Sequence, residues 1–211
     1  MSTPVLIAAL LLGTLSPARA EDLGTLEGGW PARDTDEIRV EFPVGTLIIE
    51  SSDEPEIHAQ LSVRCRRGGR RCFERSRHLR LVTQVAGHTR HLKLEGMPKF
   101  GGHGLEVTLR VAVPKTLAVE AEMGVGDCRI EGIVRDLHVE LGVGDVNVAL
   151  RERDVRSVRL TVGVGDAKLH HGNQAQVVSG LLGRKVRWED GSGASRVSIE
   201  LGVGDIDVRL D

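Results

Sequence analysis

The sequence predicts an all-β protein built as a parallel β-solenoid, a stack of coils of about 20 residues each. Three observations predict it. Gly-Val-Gly-Asp occurs four times, at 124–127, 142–145, 163–166 and 202–205. Alternating apolar and polar residues flank every copy on both sides, as in strands with one buried face. The first glycines of successive copies are 18, 21 and 39 residues apart, so a degenerate copy is expected near residue 181, where residues 180–184 resemble the motif.

Each copy is interpreted as a corner between two short strands. Glycine suits a corner because it tolerates positive φ angles and allows stacked backbones to approach closely. The aspartate is expected to accept hydrogen bonds from nearby backbone amides. The valine between the glycines is expected to point inward, as is Cys128, whose slot holds Val146, Ala167 or Ile206 in the other copies. The predicted structural turn residues are Gly124, Gly126, Asp127, Gly142, Gly144, Asp145, Gly163, Gly165, Asp166, Gly202, Gly204 and Asp205.

The four aspartates allow a second interpretation of the repeat. Asp127, Asp145, Asp166 and Asp205 would form a column of like charges, which a bound calcium ion could neutralise. Calcium-binding glycine–aspartate repeats recur about every nine residues, whereas the period here is about twice that. The sequence therefore favours a structural corner with no metal and no cofactor, and calcium stays as an alternative.

Residues 1–20 have the pattern of a secretory signal peptide. The apolar run at 5–15 is far shorter than the roughly 20 residues of a membrane span, and a small-x-small cleavage site follows at 18–20. Cleavage would leave a flexible lead-in at 21–36 and one solenoid domain at 37–211, with irregular coils at 37–116 and regular coils at 117–211. The mature chain is therefore predicted to be exported to the periplasm or beyond, without a transmembrane segment.

Composition restricts the function classes. Lys and Arg number 28 against 30 Asp and Glu, so no global positive charge favours nucleic acid as a partner. The chain has no Tyr, three Phe and two Trp, which leaves few aromatic platforms for gripping sugars. A polysaccharide-acting β-helical enzyme is therefore the less favoured alternative, and no catalytic residues are predicted.

The first third of the chain contains several strand patterns. Ile38, Val40 and Phe42 alternate with polar residues, and Gly45-Thr46 stands where a loose first coil would have its corner. Residues 79–85 and 91–94 are predicted to form a hairpin. The alternation from Leu105 to Val113 ends at Pro114, which cannot donate to a sheet ladder.

Residues 64–80 interrupt these strands with an insertion predicted to be irregular or helical. Cys65 and Cys72 are predicted to form a disulfide, which suits an oxidising compartment. The insertion has two functional interpretations: a solvated loop, or a patch that binds phosphate or carboxylate groups of envelope lipids, glycans or proteins. The arginines of this candidate patch are Arg64, Arg66, Arg67, Arg70, Arg71, Arg75, Arg77 and Arg80.

Two further surfaces are candidates for binding. The second turns of the repeats, at 131–136, 151–156, 170–174 and 188–194, vary in sequence, and variable turns on one edge of a repeat protein carry specificity. The strand predicted at 206–210 directly precedes the last residue. It is predicted to be an open edge that permits self-association or the addition of a partner strand.

Residues 45–50, residues 105–115 and the repeated Gly-Val-Gly-Asp with its flanking strands resemble a large bacterial family of presumed adhesins of unknown function. The resemblance implies an exported β-solenoid with glycine–aspartate turns and no catalytic residues to transfer. The expected function is that of a non-catalytic cell-envelope or secreted protein that binds or scaffolds an unknown protein, glycan or lipid.

Overall fold

The computed structural model describes residues 21–66, 70–97, 104–172, 174–180, 183–189 and 191–211. The signal peptide predicted at 1–20 lies outside the described residues. All strands of the described part belong to one sheet, so the all-β prediction is confirmed. A short helix α1 (Arg70–Ser76) and a 3₁₀ turn (Glu152–Asp154) are the described helical elements. The strands are β1 (Glu21–Pro31), β2 (Glu37–Ser52), β3 (Glu56–Cys65), β4 (Arg80–Ala86), β5 (Thr89–Glu95), β6 (Leu105–Pro114), β7 (Ala118–Glu131), β8 (Leu137–Leu150), β9 (Val155–His171), β10 (Gln174–Gly180), β11 (Arg184–Trp188), β12 (Ser195–Val203) and β13 (Ile206–Leu210).

The long strands are sharply bent at their glycines. Strands β7 and β8 pair in parallel, with Leu137 beside Val119. A straight strand from Val119 to Glu131 would span about 40 Å, whereas the link from Glu131 to Leu137 can cover only about 21 Å. The two ends of β7 must therefore lie close together. Strand β2 bends at the equivalent place, because Gly45 pairs with Gly126 of β7, as the sequence predicts for the first coil.

The order of the bent strands contradicts the predicted solenoid. In a solenoid each coil stacks on the one before it. Here β8 pairs in parallel with β12 and β13, and these two strands pair in parallel with β9 on their other side. Leu137 thus lies beside Val197, and Val197 lies beside Val158. The fourth copy of the motif is inserted between the second and the third, so the prediction of a parallel β-solenoid is wrong.

The degenerate copy expected near residue 181 lies partly outside the described residues, and the strands on either side of it do not form a parallel coil. Strands β10 and β11 both run antiparallel to β9, one on each side of its corner. Gly180 lies opposite Gly165, and Arg184 lies opposite Val162. The chain reverses directly after β9, where the positive φ of Gly172 (52°) fits a tight hairpin turn.

On the other side of the sheet, β2 is flanked by two shorter parallel strands. Strand β5 pairs with its first half and β6 with its second half. Strand β4 forms the predicted antiparallel hairpin with β5. Strand β3 pairs antiparallel with β6, and β1 pairs antiparallel with β3. Residues 21–31 thus form a strand where the sequence suggests a flexible lead-in, and Trp30 packs against the core.

The inner faces of both halves of the bent strands form one hydrophobic core. Val119 and Met123 before the corner of β7 and Ile130 after it are all buried. Cys128 also points inward, as predicted, with 1% of its surface exposed, and burial raises the pKa of its thiol to about 12. It is therefore a protonated core residue at neutral pH.

The C-terminal strand is not an edge. Strand β13 pairs with β8 on one side and with β9 on the other, so the backbone groups expected to be open are used within the sheet. The proposed self-association through a C-terminal edge strand is therefore wrong. Within the described ranges, the strands that pair on one side only are β1, β4, β10 and β11.

Candidate functional site

The twelve predicted turn residues all lie at the stacked corners. The second glycine of each motif has a positive φ, which is 137° at Gly144. A Cβ atom at Gly144 would overlap the carbonyl oxygen of Gly126, and a Cβ atom at Gly204 would overlap that of Gly144. The corners therefore approach backbone to backbone in the same order as the strands.

The valines of the motif point outward, contrary to the sequence prediction. Val125, Val143, Val164 and Val203 are 41–49% exposed. Five positions separate Met123, the last buried residue before the corner, from Cys128, the first buried one after it. Because five is odd, strict alternation cannot continue through the corner, and the bend turns the valine to the surface. The result is a stripe of exposed valines across neighbouring strands.

Two of the corner aspartates connect neighbouring strands. The Asp205 carboxylate accepts a hydrogen bond from the backbone N–H of Asp166 at 2.9 Å. The Asp145 carboxylate accepts one from the backbone N–H of Asp205 at 3.2 Å. In the part of the chain that the structure describes, no group of three or more His, Cys, Asp or Glu side chains is placed to hold a metal ion. The calcium hypothesis for Asp127, Asp145, Asp166 and Asp205 thus gains no support.

The Cys65–Cys72 disulfide is present and ties α1 to the end of β3, with 6.2 Å between the two Cα atoms. Helix α1 lies within the predicted Arg-rich insertion. The disulfide fixes the distance of this helix from the sheet.

The arginines of the insertion are placed in several environments. Arg66 forms an ion pair with Glu106 at 2.7 Å, and the Arg77 guanidinium lies over the Phe73 ring at 5.1 Å. Arg75 is partly buried. Arg64, Arg70 and Arg80 are exposed, whereas Arg67 and the side chain of Arg71 lie outside the described residues.

A second polar region is assembled by the variable turns. The turns at 131–136 and 151–156 and the described residues of the turn at 188–194 meet at the beginning of β8, β9 and β12 and line an open cavity of about 690 Å³. We call it the turn cavity. Its polar lining includes Arg135, Asp136, Arg156, Glu189, Ser195 and Arg196.

Backbone hydrogen bonds fix one wall of the turn cavity. The N–H of Gly191 donates to the carbonyl of Arg156 at 3.1 Å, and the N–H of Gly193 donates to that of Val155 at 3.2 Å. The N–H of Ala194 donates to the carbonyl of Asp154 at 3.1 Å. The loop before β12 is therefore held directly against the beginning of β9.

A carboxylate–arginine pair forms the opposite wall. Asp136 accepts hydrogen bonds from the backbone N–H of Arg196 at 2.9 Å, from its Nε at 3.1 Å and from its Nη2 at 2.6 Å. Burial alone would raise the pKa of Asp136, but these hydrogen bonds and the charges of Arg196 and Arg135 outweigh it, and the pKa lies below the usual value. The 1% exposed Ser195 donates its hydroxyl to the carbonyl of Arg135 at 2.8 Å.

Two arginines of the cavity remain available. Among the residues that the structure describes, none forms an ion pair within 4 Å with Arg135 or Arg156. Both side chains are exposed at the cavity, together with the partly exposed Ser157. Sequence reasoning identified the three turns as variable but not these residues. The sequence signal for these residues is the pair or triplet of polar residues directly before each run of alternating apolar and polar residues.

The sequence profile of the family described as the N-terminal domain of toast_rack, DUF2154, matches residues 32–170, which is more than half of the chain. The chain belongs to this family. The matched segment of the toast_rack domain runs from the residues before β2 nearly to the end of β9. Strands β12 and β13, which complete the centre of the sheet, lie beyond it. No curated protein matches the chain.

The solved structures that match the chain include three bacterial proteins. A presumed cell adhesion protein from Clostridium sporogenes is 14% identical, with a TM-score of 0.56 over 90% of this chain and 100% of that chain. A presumed adhesin from Bacteroides fragilis is 11% identical over 88% and 97% of the two chains, with a TM-score of 0.27. Another from Parabacteroides distasonis is 12% identical over 61% and 53%, with a TM-score of 0.28. The likeness of this chain to the Clostridium protein is a likeness of fold alone.

Proposed function

We propose that this toast_rack protein is an exported, non-catalytic binding protein, adhesin-like in that it holds a group of its partner in the turn cavity. The observation that carries the proposal is the convergence of three variable turns on one cavity with uncommitted polar side chains. Pockets of this size are typical of small-ligand sites. The partner would be an envelope glycan, lipid or protein.

Two observations support export. Residues 1–20 have the pattern of a signal peptide. The Cys65–Cys72 disulfide suits an oxidising compartment. We therefore propose the periplasm or the extracellular space as the location of the mature protein. Separately, no helix in the described ranges has the length and apolar character needed to cross a bilayer.

The chemistry of the cavity favours binding over catalysis. Its two described acidic side chains are both paired with arginine: Asp136 with Arg196 at 2.6 Å and Glu189 with Arg187 at 3.7 Å. A carboxylate that is stabilised in its charged form is a weak proton acceptor. Asp136, whose pKa is lowered, is thus not poised to act as a general base.

A cavity-filling variant tests the proposal. Ala194 lines the cavity and is exposed, so Ala194→Trp should fill it without disturbing the core. The matched control is Ala175→Trp, at an exposed position of the edge strand β10. Binding of each protein to separated glycan, lipid and protein fractions of the bacterial envelope is measured by biolayer interferometry. We expect one fraction to bind the wild type and the control but not Ala194→Trp; equal binding by all three would contradict the proposal.

A further inference from the structure

We infer that the turn cavity recognises an oxyanion, a carboxylate or a phosphate carried by a small polar ligand, through Arg135 and Arg156. This inference rests on the proposed function, because it assigns a chemical class to the group held in that cavity. Three properties of the site lead to it: the availability of the two guanidinium groups, the fixed backbone that carries them, and the acceptor and hydroxyl groups beside them.

The first property is that the three arginines of the cavity differ in their partners. Arg196 is bound to Asp136 through two side-chain hydrogen bonds and one from its backbone. Arg135 and Arg156 have no ion pair within 4 Å in the described part of the chain. A guanidinium presents parallel N–H donors that match a carboxylate or a phosphate edge to edge. The guanidinium groups of Arg135 and Arg156 are thus free to bind an anion, whereas that of Arg196 forms part of the cavity wall.

The second property is the rigidity of the backbone at both arginines. The carbonyl of Arg135 accepts the hydroxyl of the buried Ser195, and the carbonyl of Arg156 accepts the N–H of Gly191. Each bond joins a turn to a segment that is distant in sequence. The starting points of both side chains are therefore fixed before a ligand arrives, which lowers the entropy lost on binding.

The third property is the balance of charge and polarity around the arginines. The described lining contains three arginines against Asp136 and Glu189, so it carries a net positive charge. Ser157 and Glu189 offer a hydroxyl and an acceptor for neutral hydroxyl groups of a ligand. Trp188 is buried and gives no stacking surface. We therefore expect the cavity to recognise its ligand through the anionic group and to bind the rest of the ligand with moderate affinity.

The test uses isothermal titration of the full mature chain with three probes. Digalacturonate carries carboxylates, glycerol 3-phosphate carries a phosphate, and lactose is a neutral disaccharide. Arg135→Gln and Arg156→Gln remove one guanidinium each. Arg159→Gln is the control, because Arg159 is exposed on β9 and is not part of the cavity lining. Thermal unfolding of every variant verifies that the fold is intact.

We expect at least one anionic probe to bind the wild type and Arg159→Gln, with an affinity that falls as salt is added. Each cavity variant should weaken this binding about tenfold or more, which is the effect of one charge-assisted hydrogen bond. Binding of digalacturonate alone identifies a carboxylate ligand, and binding of glycerol 3-phosphate identifies a phosphate ligand. Equal binding of lactose, equal loss in Arg159→Gln, or no binding of either anion would overturn the inference. If Ala194→Trp still abolishes binding of an envelope fraction in that case, the proposed function stands without the oxyanion.

Discussion

The carboxylate of Asp205 accepts the backbone N–H of Asp166 at 2.9 Å, although 39 residues separate the two in sequence. The same residue donates its own N–H to Asp145 at 3.2 Å. Asp205 is thus the hydrogen-bonded link between the second and the third copy of the motif. In the described part of the chain, the side chain of Asp127 forms no such link.

The first prediction concerns this difference between aspartates. Asp205→Ala should lower the free energy of unfolding by about 0.5–1.5 kcal/mol, because the Asp166 N–H loses its acceptor. Asp127→Ala should change it by less than about 0.5 kcal/mol, as is usual for a surface substitution. Urea unfolding monitored by circular dichroism measures both. Equal losses would show that the corner aspartates act by charge alone.

The second prediction concerns the stacked glycines. Gly144→Ala should lower the free energy of unfolding by about 3 kcal/mol or more, because the φ of 137° is strained for alanine and the new Cβ overlaps the Gly126 carbonyl oxygen. Gly87→Ala is the control. Its φ of 62° is also positive, but no atom lies within 4 Å of the added Cβ, so a loss of about 1 kcal/mol is expected. Similar losses at both sites would mean that close stacking at the corner contributes nothing.

The third prediction tests the order of the strands. Deletion of residues 195–211 removes β12 and β13 and leaves β8 and β9 each unpaired on the side that faces the centre of the sheet. We expect this variant to lose its cooperative urea transition. Deletion of residues 21–31 removes only β1, which pairs with β3 alone. This second variant should keep a cooperative transition at a lower midpoint.

In a stack of successive coils, by contrast, the C-terminal deletion would remove only the last layer, and the remaining coils would unfold cooperatively. That result would contradict the inserted position of β12 and β13.

The fourth prediction follows from the buried thiol. The pKa of Cys128 is raised from 9.0 to about 12 in the folded protein. Above pH 9 the unfolded chain therefore releases a proton that the folded protein retains, so stability falls as the pH rises. At pH 10 the wild type should have lost about 1.4 kcal/mol relative to Cys128→Val, after normalisation at pH 7. Valine is a suitable substitute because Val146 occupies the neighbouring position of the ladder.

Measurement of the free energy of unfolding in urea at pH 7, 9 and 10 checks this prediction. Parallel pH profiles for the two proteins would rule out a contribution from the thiol. Because other titrating groups are the same in both proteins, they cancel in the difference.

The sequence was sufficient for most of the strands and their buried faces, but not for β1, for the outward-facing valines of the motif or for the spatial order of the strands. The alternation around each motif correctly predicted strands with Cys128 inside, and Gly45 was correctly matched to the later corners. The spatial order depends on which of several near-identical strands pair with each other. The strands of copies two and four have the same apolar pattern, so the sequence does not show which of them pairs with copy three. A local signal for the reversal was present: Gly172-Asn173 stands between two strand patterns, a dipeptide typical of two-residue hairpins.

The variable turns were predicted as one candidate place for binding groups, beside the Arg-rich insertion and the C-terminal edge, and three of the four turns meet at the turn cavity. The side chains that line this cavity were not predicted. The pairing of Asp136 with Arg196, however, joins residues 60 positions apart through the insertion of β12. A periodic stack would place the turns of copies two and four far from each other, so the pairing could not be derived from the repeat.

The inserted position of β12 between β8 and β9 also affects how the protein can fold. During synthesis β9 precedes β12, and β9 carries the same corner and the same alternation, so it is available to pair with β8 first. The native sheet instead requires β8 to pair with a segment 60 residues away, and long loops of this kind close slowly. Premature contact between β8 and β9 must be avoided or undone before the last strand can enter. The repetition that makes the corners stack so regularly is thus also a source of competing pairings, and the native order is decided only after β12 and β13 have been synthesised.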